Sequence, residues 1–306
     1  MKVLVTGGAG FIGSHVIRNM IADNIDVVVL DNLSTGQYEH LPDGVTFWQE
    51  DVRSVVVRER IADGHFDAIV HLAAQILVDA SIRDPYFDAD ENIMGFINVL
   101  EGARAGGVRR VIFPSSAAVY GDVAESQLPL AEDMPLAPLS FYGLTKEMSE
   151  RYLELYHRHY GLDYVVLRFA NVYGERQGDN GEGGVISIFA KKAARGEDIT
   201  IFGDGNQTRD FVYAGDIAHG IRRALVTEHA NTAYNLSTQM ETSLNDLVKI
   251  FDSIRQSGLH VSYGPDRDGD IYRSCLSREK AQKGLDWKPC CSLAEGLRKT
   301  LDYFAN

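Results

Sequence analysis

The 306-residue sequence predicts a doubly wound α/β fold, a parallel sheet covered on both faces, followed by a smaller α/β lobe. Three features carry this expectation. Short apolar runs alternate with helix-patterned stretches through the first half, and the first run ends in a glycine cluster. Beyond about residue 171 the rhythm loosens into Gly- and charge-rich loops. Fully apolar strands separated by helices belong to parallel sheets buried on both sides, and such sheets bind ligands beyond the carboxyl ends of their strands.

Taken in order, residues 3–5 form the first strand and residues 11–22 an amphipathic helix. Residues 27–30, 67–70, 111–113 and 164–167 repeat the strand type, with helices between them that include 91–104 and 141–160. The loops at 175–184 and 203–207 open the second lobe. Two late helices begin at serines, one at Ser243 and one at Ser292, where Glu295 completes a capping-box spacing. The expected division is 1–170 and 171–306, partly interleaved and without a hinge-like linker.

Composition narrows the function. Hydrophobic residues make up 45% and charged residues 24%, the ordinary range of a globular protein. A net charge of −13 without a long basic run argues against nucleic acid or an anionic membrane as partner, so an anionic ligand must be met by a few local arginines. The three cysteines, Cys275, Cys290 and Cys291, form neither a disulfide framework nor a zinc spacing, so no metal is expected. The adjacent pair is open to redox chemistry, but ordinary reduced thiols are the expectation. A strand-like run begins at Lys2, leaving no room for a signal peptide, and no apolar stretch approaches the roughly 20 residues needed to span a bilayer. A soluble, cytoplasmic protein is expected.

The glycine cluster reads Thr6-Gly7-Gly8-Ala9-Gly10-Phe11-Ile12-Gly13 and lies between the first strand and the first helix. Gly7 permits the tight turn, Gly10 lets a pyrophosphate approach the backbone, and Gly13 allows the helix to pack on the sheet. Such a pattern alone is weak, but the second strand ends at Asp31, 18 positions beyond Gly13. A carboxylate there accepts from ribose hydroxyls and repels a 2′-phosphate, so a Rossmann-type NAD site is expected rather than an NADP site. Asp51-Val52, after the third strand, is either an adenine contact or a solvated loop. His71-Leu72-Ala73-Ala74-Gln75 closes the fourth strand with small residues suited to packing against a cofactor, and His71 itself reads as a buried structural histidine.

The chemical signal is Tyr142-Gly143-Leu144-Thr145-Lys146, in which Tyr142 and Lys146 share one helix face. An ammonium close to a phenol favours the phenolate, lowering the tyrosine from its usual value of about 10. Incidental Tyr/Lys pairs are common. The pair becomes specific with Pro114-Ser115-Ser116-Ala117-Ala118-Val119-Tyr120-Gly121, which places a serine hydroxyl at the edge of the sheet.

With these residues in view, TGGAGFIGSH, DNLSTG, HLAAQ, SSAAVYG, YGLTK, LRFANVYGERQ and GDGNQTRDFVYAGDI resemble the extended short-chain dehydrogenase/reductase superfamily. Within it, the chain is similar over essentially its whole length to the compact bacterial and archaeal UDP-glucose 4-epimerases. The resemblance implies that Tyr142 is the catalytic base, Lys146 orients the cofactor, and Ser116 hydrogen-bonds the reacting hydroxyl. It implies NAD contacts from Gly7, Gly10, Phe11, Ile12, Gly13, Asp31, Asn32, Ser34, Thr35, Gly36, Asp51, Val52, Leu72, Ala73, Ala74, Gln75 and Asn92, with Tyr142 and Lys146. For the nucleotide sugar it implies Asn171 and the Val185 backbone at the diphosphate and Thr200 and Phe202 at the uridine. Arg209 and Arg267 become the diphosphate clamp, and Asp270 the ribose acceptor. Pro114, the Leu144-Thr145 pair and Ile76 depart from the usual residues, and none of them removes a reacting group.

Immediately after the serine or threonine, the related 4,6-dehydratases carry an Asp-Glu pair and the decarboxylases a Ser-Glu pair; Ala117 and Ala118 stand there, which leaves 4-epimerisation of a UDP-hexose by transient oxidation. The alternatives are a UDP-glucuronate 4-epimerase and a non-catalytic NAD sensor. A homodimer joined through residues 91–104 and 146–159 is implied, with Ile93, Phe96, Ile97 and Leu100 either its apolar stripe or simply packed on the sheet. The resemblance to the longer epimerases, in which the position seven residues after the diphosphate arginine lies against the C2 side of the sugar, implies that role for Ser274, a small residue that leaves room for an N-acetyl group; otherwise Ser274 faces solvent.

Overall fold

The computed structural model describes residues 1–178, 184–255, 258–265 and 271–305. The chain runs through β1 (Lys2–Thr6), α1 (Phe11–Ala22), β2 (Asp26–Asp31), β3 (Thr46–Gln49), α2 (Val55–Ala62), β4 (Ala68–His71), α3 (Val78–Arg83), α4 (Pro85–Ala89), α5 (Gly95–Ala105), β5 (Arg110–Ser116), α6 (Phe141–Tyr160) and β6 (Asp163–Phe169). It continues through β7 (Asn171–Tyr173), α7 (Val185–Arg195), β8 (Ile199–Phe202), β9 (Thr208–Tyr213), α8 (Ala214–Val226), β10 (Thr232–Leu236), β11 (Glu241–Ser243), α9 (Leu244–Arg255), β12 (Val261–Gly264), α10 (Glu279–Gly284) and α11 (Leu293–Ala305).

Seven strands form one parallel sheet in the order β10-β6-β5-β4-β1-β2-β3. Alternate residues of each strand enter different cores: Val3 and Val5 join α1 and α8 on one face, while Leu4 joins α2, α5 and α6 on the other. The apolar runs are continuous because both faces are covered. The strand order reverses at β1, between β4 and β2, which opens a crevice at the carboxyl ends of these strands.

The chain beyond residue 170 contributes to two bodies. Its strand β10 completes the large sheet beside β6, while β11-β9-β7 and β12-β8 form two small sheets. A third core, which includes Phe189, Ile201, Phe211, Phe251 and Leu297, packs α7, α9 and α11 against them. Both serine helix starts are capped as their spacing predicts: the Asp246 amide donates to Ser243 Oγ at 3.0 Å, and at Ser292 the Glu295 carboxylate reciprocates through the Ser292 amide at 3.0 Å. Among the described residues no helix is long and apolar enough to cross a membrane.

One helix departs from expectation. The predicted helix at 91–104 is a π-helical turn, Asp90–Met94, leading into α5. The extra residue in that turn turns the buried Asn92 inward, where its Oδ1 accepts from the Gln75 amide and its Nδ2 donates to the Gln75 carbonyl, both at 2.9 Å. Phe96 and Leu100 pack on the sheet, and Ile93 and Ile97 are half-buried.

Candidate active site

A cavity of about 400 Å³ occupies the crevice. Its floor is the turn after β1, and the glycines there are required for different reasons. Gly7 has φ +68°, and a Cβ on it would meet the Ala73 amide nitrogen at 2.6 Å; a Cβ on Gly13 would meet the Gly7 carbonyl at 2.2 Å. A Cβ on Gly10 meets only the Gly7 carbonyl, at 3.2 Å, so the protein's own packing demands glycine less there than at Gly7 and Gly13. The open side of Gly10 faces the cavity, a cradle that a side chain would fill. Helix α1 begins there without a side-chain cap, so its first-turn N–H groups and positive dipole end are directed at whatever occupies the cradle. That suits a pyrophosphate.

Asp31 closes β2 on the same wall. Its Oδ2 accepts from the Ala9 amide at 2.9 Å and Oδ1 from the Leu33 amide at 2.8 Å, while burial pushes the carboxyl above its ordinary value. Gly36 packs against it, its Cβ position 3.0 Å from Oδ1. The described wall bears the carboxylates Asp31, Glu50 and Glu91 and no lysine or arginine, an environment hostile to a 2′-phosphate. Asn32, Ser34, Thr35 and Val52 line this end and Leu72, Ala73 and Ala74 the middle. The residues present therefore fit NAD.

Several predicted cofactor residues lie off the wall. The Asp51 carboxylate is held by Arg53 and accepts from Asn32, which keeps its carboxyl far below the usual range and leaves its neighbours Glu50 and Val52 to face the cavity. Gln75 and Asn92 sit behind the wall in a network with the fully buried Asp88, whose carboxylate accepts from Gln75 Nε2 at 2.6 Å, Asn92 Nδ2 at 3.1 Å and Thr145 Oγ1 at 3.1 Å. His71 is structural: its ring stacks on Phe96 at 4.7 Å, shares a hydrogen bond with Thr6 at 2.9 Å, and is pushed down to about 3 by burial.

At the far end Ser116 and Tyr142 lie together on the wall. Ser140 caps α6 by accepting from the Gly143 amide at 3.0 Å, which starts the helix just ahead of Tyr142. Ser116 ends β5 and accepts from the Ala118 amide at 3.1 Å. Lys146 is buried one turn below Tyr142, its Nζ 5.9 Å from the Tyr142 ring centroid and donating to the Pro114 carbonyl at 3.0 Å. The expected lowering of Tyr142 does not appear. Burial raises the phenol above its ordinary value, hydrogen bonding with Ser116 opposes that, and the Asp88 carboxylate adds to the rise. Burial also brings Lys146 down to about 8, with Asp88 and Glu150 acting to keep it charged. The ammonium is aimed at backbone rather than at the phenol.

The residues expected at the sugar nucleotide are dispersed. Asn171 lines the cavity, as does Gly184, which caps α7 immediately before Val185. Thr200 and Phe202 lie on β8, Thr200 hydrogen-bonded with Ser262 at 3.2 Å. Arg209, on β9, donates to the Thr208 carbonyl at 2.8 Å. Ser274 is half-buried near β9 and, like Thr200, Phe202 and Arg209, is not part of the described wall. Arg267 and Asp270 lie outside the described residues. The sequence reading missed Gln177, Phe169 and Ala170 on the wall, and Glu150 and Arg168 behind it. Glu150 had a signal: it stands four positions after Lys146, on the face that carries Tyr142.

The match to the model of the NAD dependent epimerase/dehydratase family spans residues 3–237. The chain belongs to this family. A putative UDP-glucose 4-epimerase of Methanocaldococcus jannaschii is 43% identical over 305 residues, covering 99% of this chain and 98% of that one. A UDP-glucose 4-epimerase of Thermotoga maritima, solved with UDP-glucose, superposes with a TM-score of 0.95 at 41% identity, covering 99% of this chain and 98% of that one. The Thermus thermophilus UDP-glucose 4-epimerase, solved as a complex with NAD, superposes at 0.91 with 39% identity, covering 99% of both chains.

Proposed function

We propose that this epimerase interconverts UDP-glucose and UDP-galactose by removing and returning the hydrogen at C4 of the hexose. The observation that carries the reading is the placing of Ser116 and Tyr142 on one cavity wall, with Lys146 buried beneath and alanines at 117 and 118. Tyr142 takes the 4-hydroxyl proton, and Ser116 holds that hydroxyl in line. Bound NAD supplies the hydride acceptor, then the donor, and a positive ring charge that favours the phenolate. Lys146 orients the cofactor and adds its own charge. Ala117 and Ala118 offer no proton, so neither water nor carbon dioxide is expelled. The 4-keto sugar turns about its diphosphate linkage and receives hydrogen on its other face.

The cofactor roles follow the wall, from Gly7 to Gly13 at the pyrophosphate through Asp31 at the ribose to Leu72, Ala73 and Ala74. The sugar nucleotide is assigned to Asn171, Val185, Thr200, Phe202, Arg209, Arg267 and Asp270, with residues 1–170 the NAD-binding domain and 171–306 the sugar-nucleotide lobe. A glucuronate substrate would bring its carboxylate to the Ser116/Tyr142 end, where no lysine or arginine stands on the described wall, which disfavours that alternative. We place the protein in the cytoplasm as a homodimer, with α5 and α6 as the joining helices.

Incubation with a panel of UDP-sugars and chromatographic resolution of the products tests the reading. Interconversion of glucose and galactose forms is expected without added reductant, and Tyr142→Phe is expected to lose about 10²–10⁴-fold in rate while still binding NAD. Absence of conversion, or near-native turnover by that variant, would overturn it. We assign Ser274 to the C2 side of the sugar, so the acetamido pair should also turn over. Ser274→Tyr should abolish only that activity; equal effects on both pairs would reject the assignment.

A further inference from the structure

Tyr142, Lys146 and Glu150 recur at every fourth position of α6 and so share one face. Glu150 is buried at 5% exposure, and both of its carboxylate oxygens are engaged. Its Oε1 accepts from Ser115 Oγ at 2.6 Å and from Arg168 Nε at 3.1 Å, and its Oε2 accepts from Arg168 Nη2 at 2.7 Å. Arg168 lies on β6 directly opposite Ser115 of β5, and its Nη1 donates onward to Tyr120 Oη at 2.9 Å and to the Glu132 carbonyl at 3.1 Å. The segment that carries Ser116 is therefore gripped at both ends, at Ser115 by Glu150 and at Tyr120 by Arg168. A buried ion pair is a poor source of stability, because desolvation cancels much of its attraction. Its value here lies in what it holds.

We propose that Glu150, locked to Arg168, is a positioning residue for the epimerase reaction: it fixes the Ser116 segment against the face of α6 that carries Tyr142 and Lys146. The inference rests on the roles assigned above to Tyr142 and Lys146. The groups facing Lys146 are Asp88 from α4, His71 from β4, and Tyr142 and Glu150 from its own helix, with Arg168 of β6 behind Glu150. His71 is neutral across the working range, so Asp88 and Glu150 are the two carboxylates that offset the burial of Lys146. Removing the charge of Glu150 leaves Asp88 alone, and the ammonium then loses its proton at lower pH.

Two kinds of variant separate the tie from the charge. Ser115→Ala cuts the link to β5 and leaves the ion pair in place; a fall in kcat of about tenfold is expected, with KM and the pH profile unchanged. Glu150→Gln removes the charge, and the double variant Glu150→Gln/Arg168→Gln does so without stranding a buried guanidinium. In either, the alkaline limb of the kcat profile should move down by about one pH unit. In an ultraviolet titration, the Tyr142 phenol, isolated by difference against the matching Tyr142→Phe protein, should ionise at higher pH. A merely structural pair would lower stability and leave limb and phenol where they are, which would overturn the proposal. If both charge variants fail to fold, Ser115→Ala decides, and an unchanged kcat overturns it. Native turnover by Tyr142→Phe would instead sink the assignment of the base, a different failure.

Discussion

At the scale of single residues, the site works by placing charge where burial resists it. Asp31 is an acid held above its ordinary value by burial, yet two backbone amides and the cavity face still favour its role as an acceptor. Each of its oxygens keeps a lone pair for a ribose hydroxyl, and a hydrogen bond to a charged group is worth about 1.5–3 kcal/mol. Asp31→Ala is therefore expected to weaken NAD binding roughly ten- to a hundredfold. NADP should suffer less, because the repulsion of its phosphate disappears as well. Paired titrations of the two cofactors check this, and an unchanged NAD/NADP ratio would remove Asp31 from the selectivity account. Tyr142 and Lys146 feel the same effect, a phenol raised and an ammonium lowered by burial. Neither is poised for catalysis by itself: Asp88 and Glu150 help to keep Lys146 charged, but Asp88 raises the phenol further, so bound cofactor must favour the phenolate.

At the scale of elements, helix starts carry much of the organisation. Helix α1 leaves its first turn open toward the cavity, whereas α6 is capped by Ser140 and α11 by the reciprocal Ser292–Glu295 pair. The α11 cap is solvent-exposed, at the start of a helix that packs in the third core, so it tests element stability alone. Ser292→Ala should lower the unfolding free energy by about 1 kcal/mol and leave kcat unchanged. Urea denaturation measures the first and a standard assay the second; a loss of kcat without a loss of stability would contradict this division of labour. The π-helical turn at Asp90–Met94 is the element that departs from regular geometry, and it turns Asn92 onto the loop that follows β4.

For the molecule as a whole, the large sheet and the smaller lobe share one continuous chain that crosses between them, since β10 returns to the sheet after β7, β8 and β9 have left it. The cavity wall correspondingly draws Asn171 and Gly184 from beyond the first six sheet strands. On the outside of α6, Leu144, Met148 and Leu155 are 43%, 43% and 45% exposed and lie along one stripe, with Met94 at 56% from the neighbouring π-helical turn. These exposed side chains lie on the helical face proposed for the homodimer, whereas Phe96 and Leu100 are buried against the sheet and are not available to it. Sedimentation should give twice the mass of one chain, and Leu144→Glu/Met148→Glu should give a single chain. A monomeric native protein, or a doubly substituted protein that stays dimeric, would refute this surface.

What the sequence determined by itself was whatever depends on local pattern: the parallel sheet from its continuous apolar strands, the NAD cradle from Gly7, Gly10 and Gly13 with Asp31, the Tyr142/Lys146 face, and the serine caps at Ser243 and Ser292. Each is set by residues a few positions apart or by the direct succession of strand and helix. The tertiary structure alone decided how distant segments meet. It engaged Asp51 with Arg53 and turned its neighbours to the cavity. It buried Asp88 against Gln75, Asn92 and Thr145, and it placed Arg168 beside Glu150 and Ser115. It also fixed the direction of the Tyr142 shift, because burial depends on everything packed around the phenol whereas the spacing to Lys146 records one neighbour. Local spacing sets which side chains share a face; desolvation and the pairing of buried charges are properties of the whole packed environment.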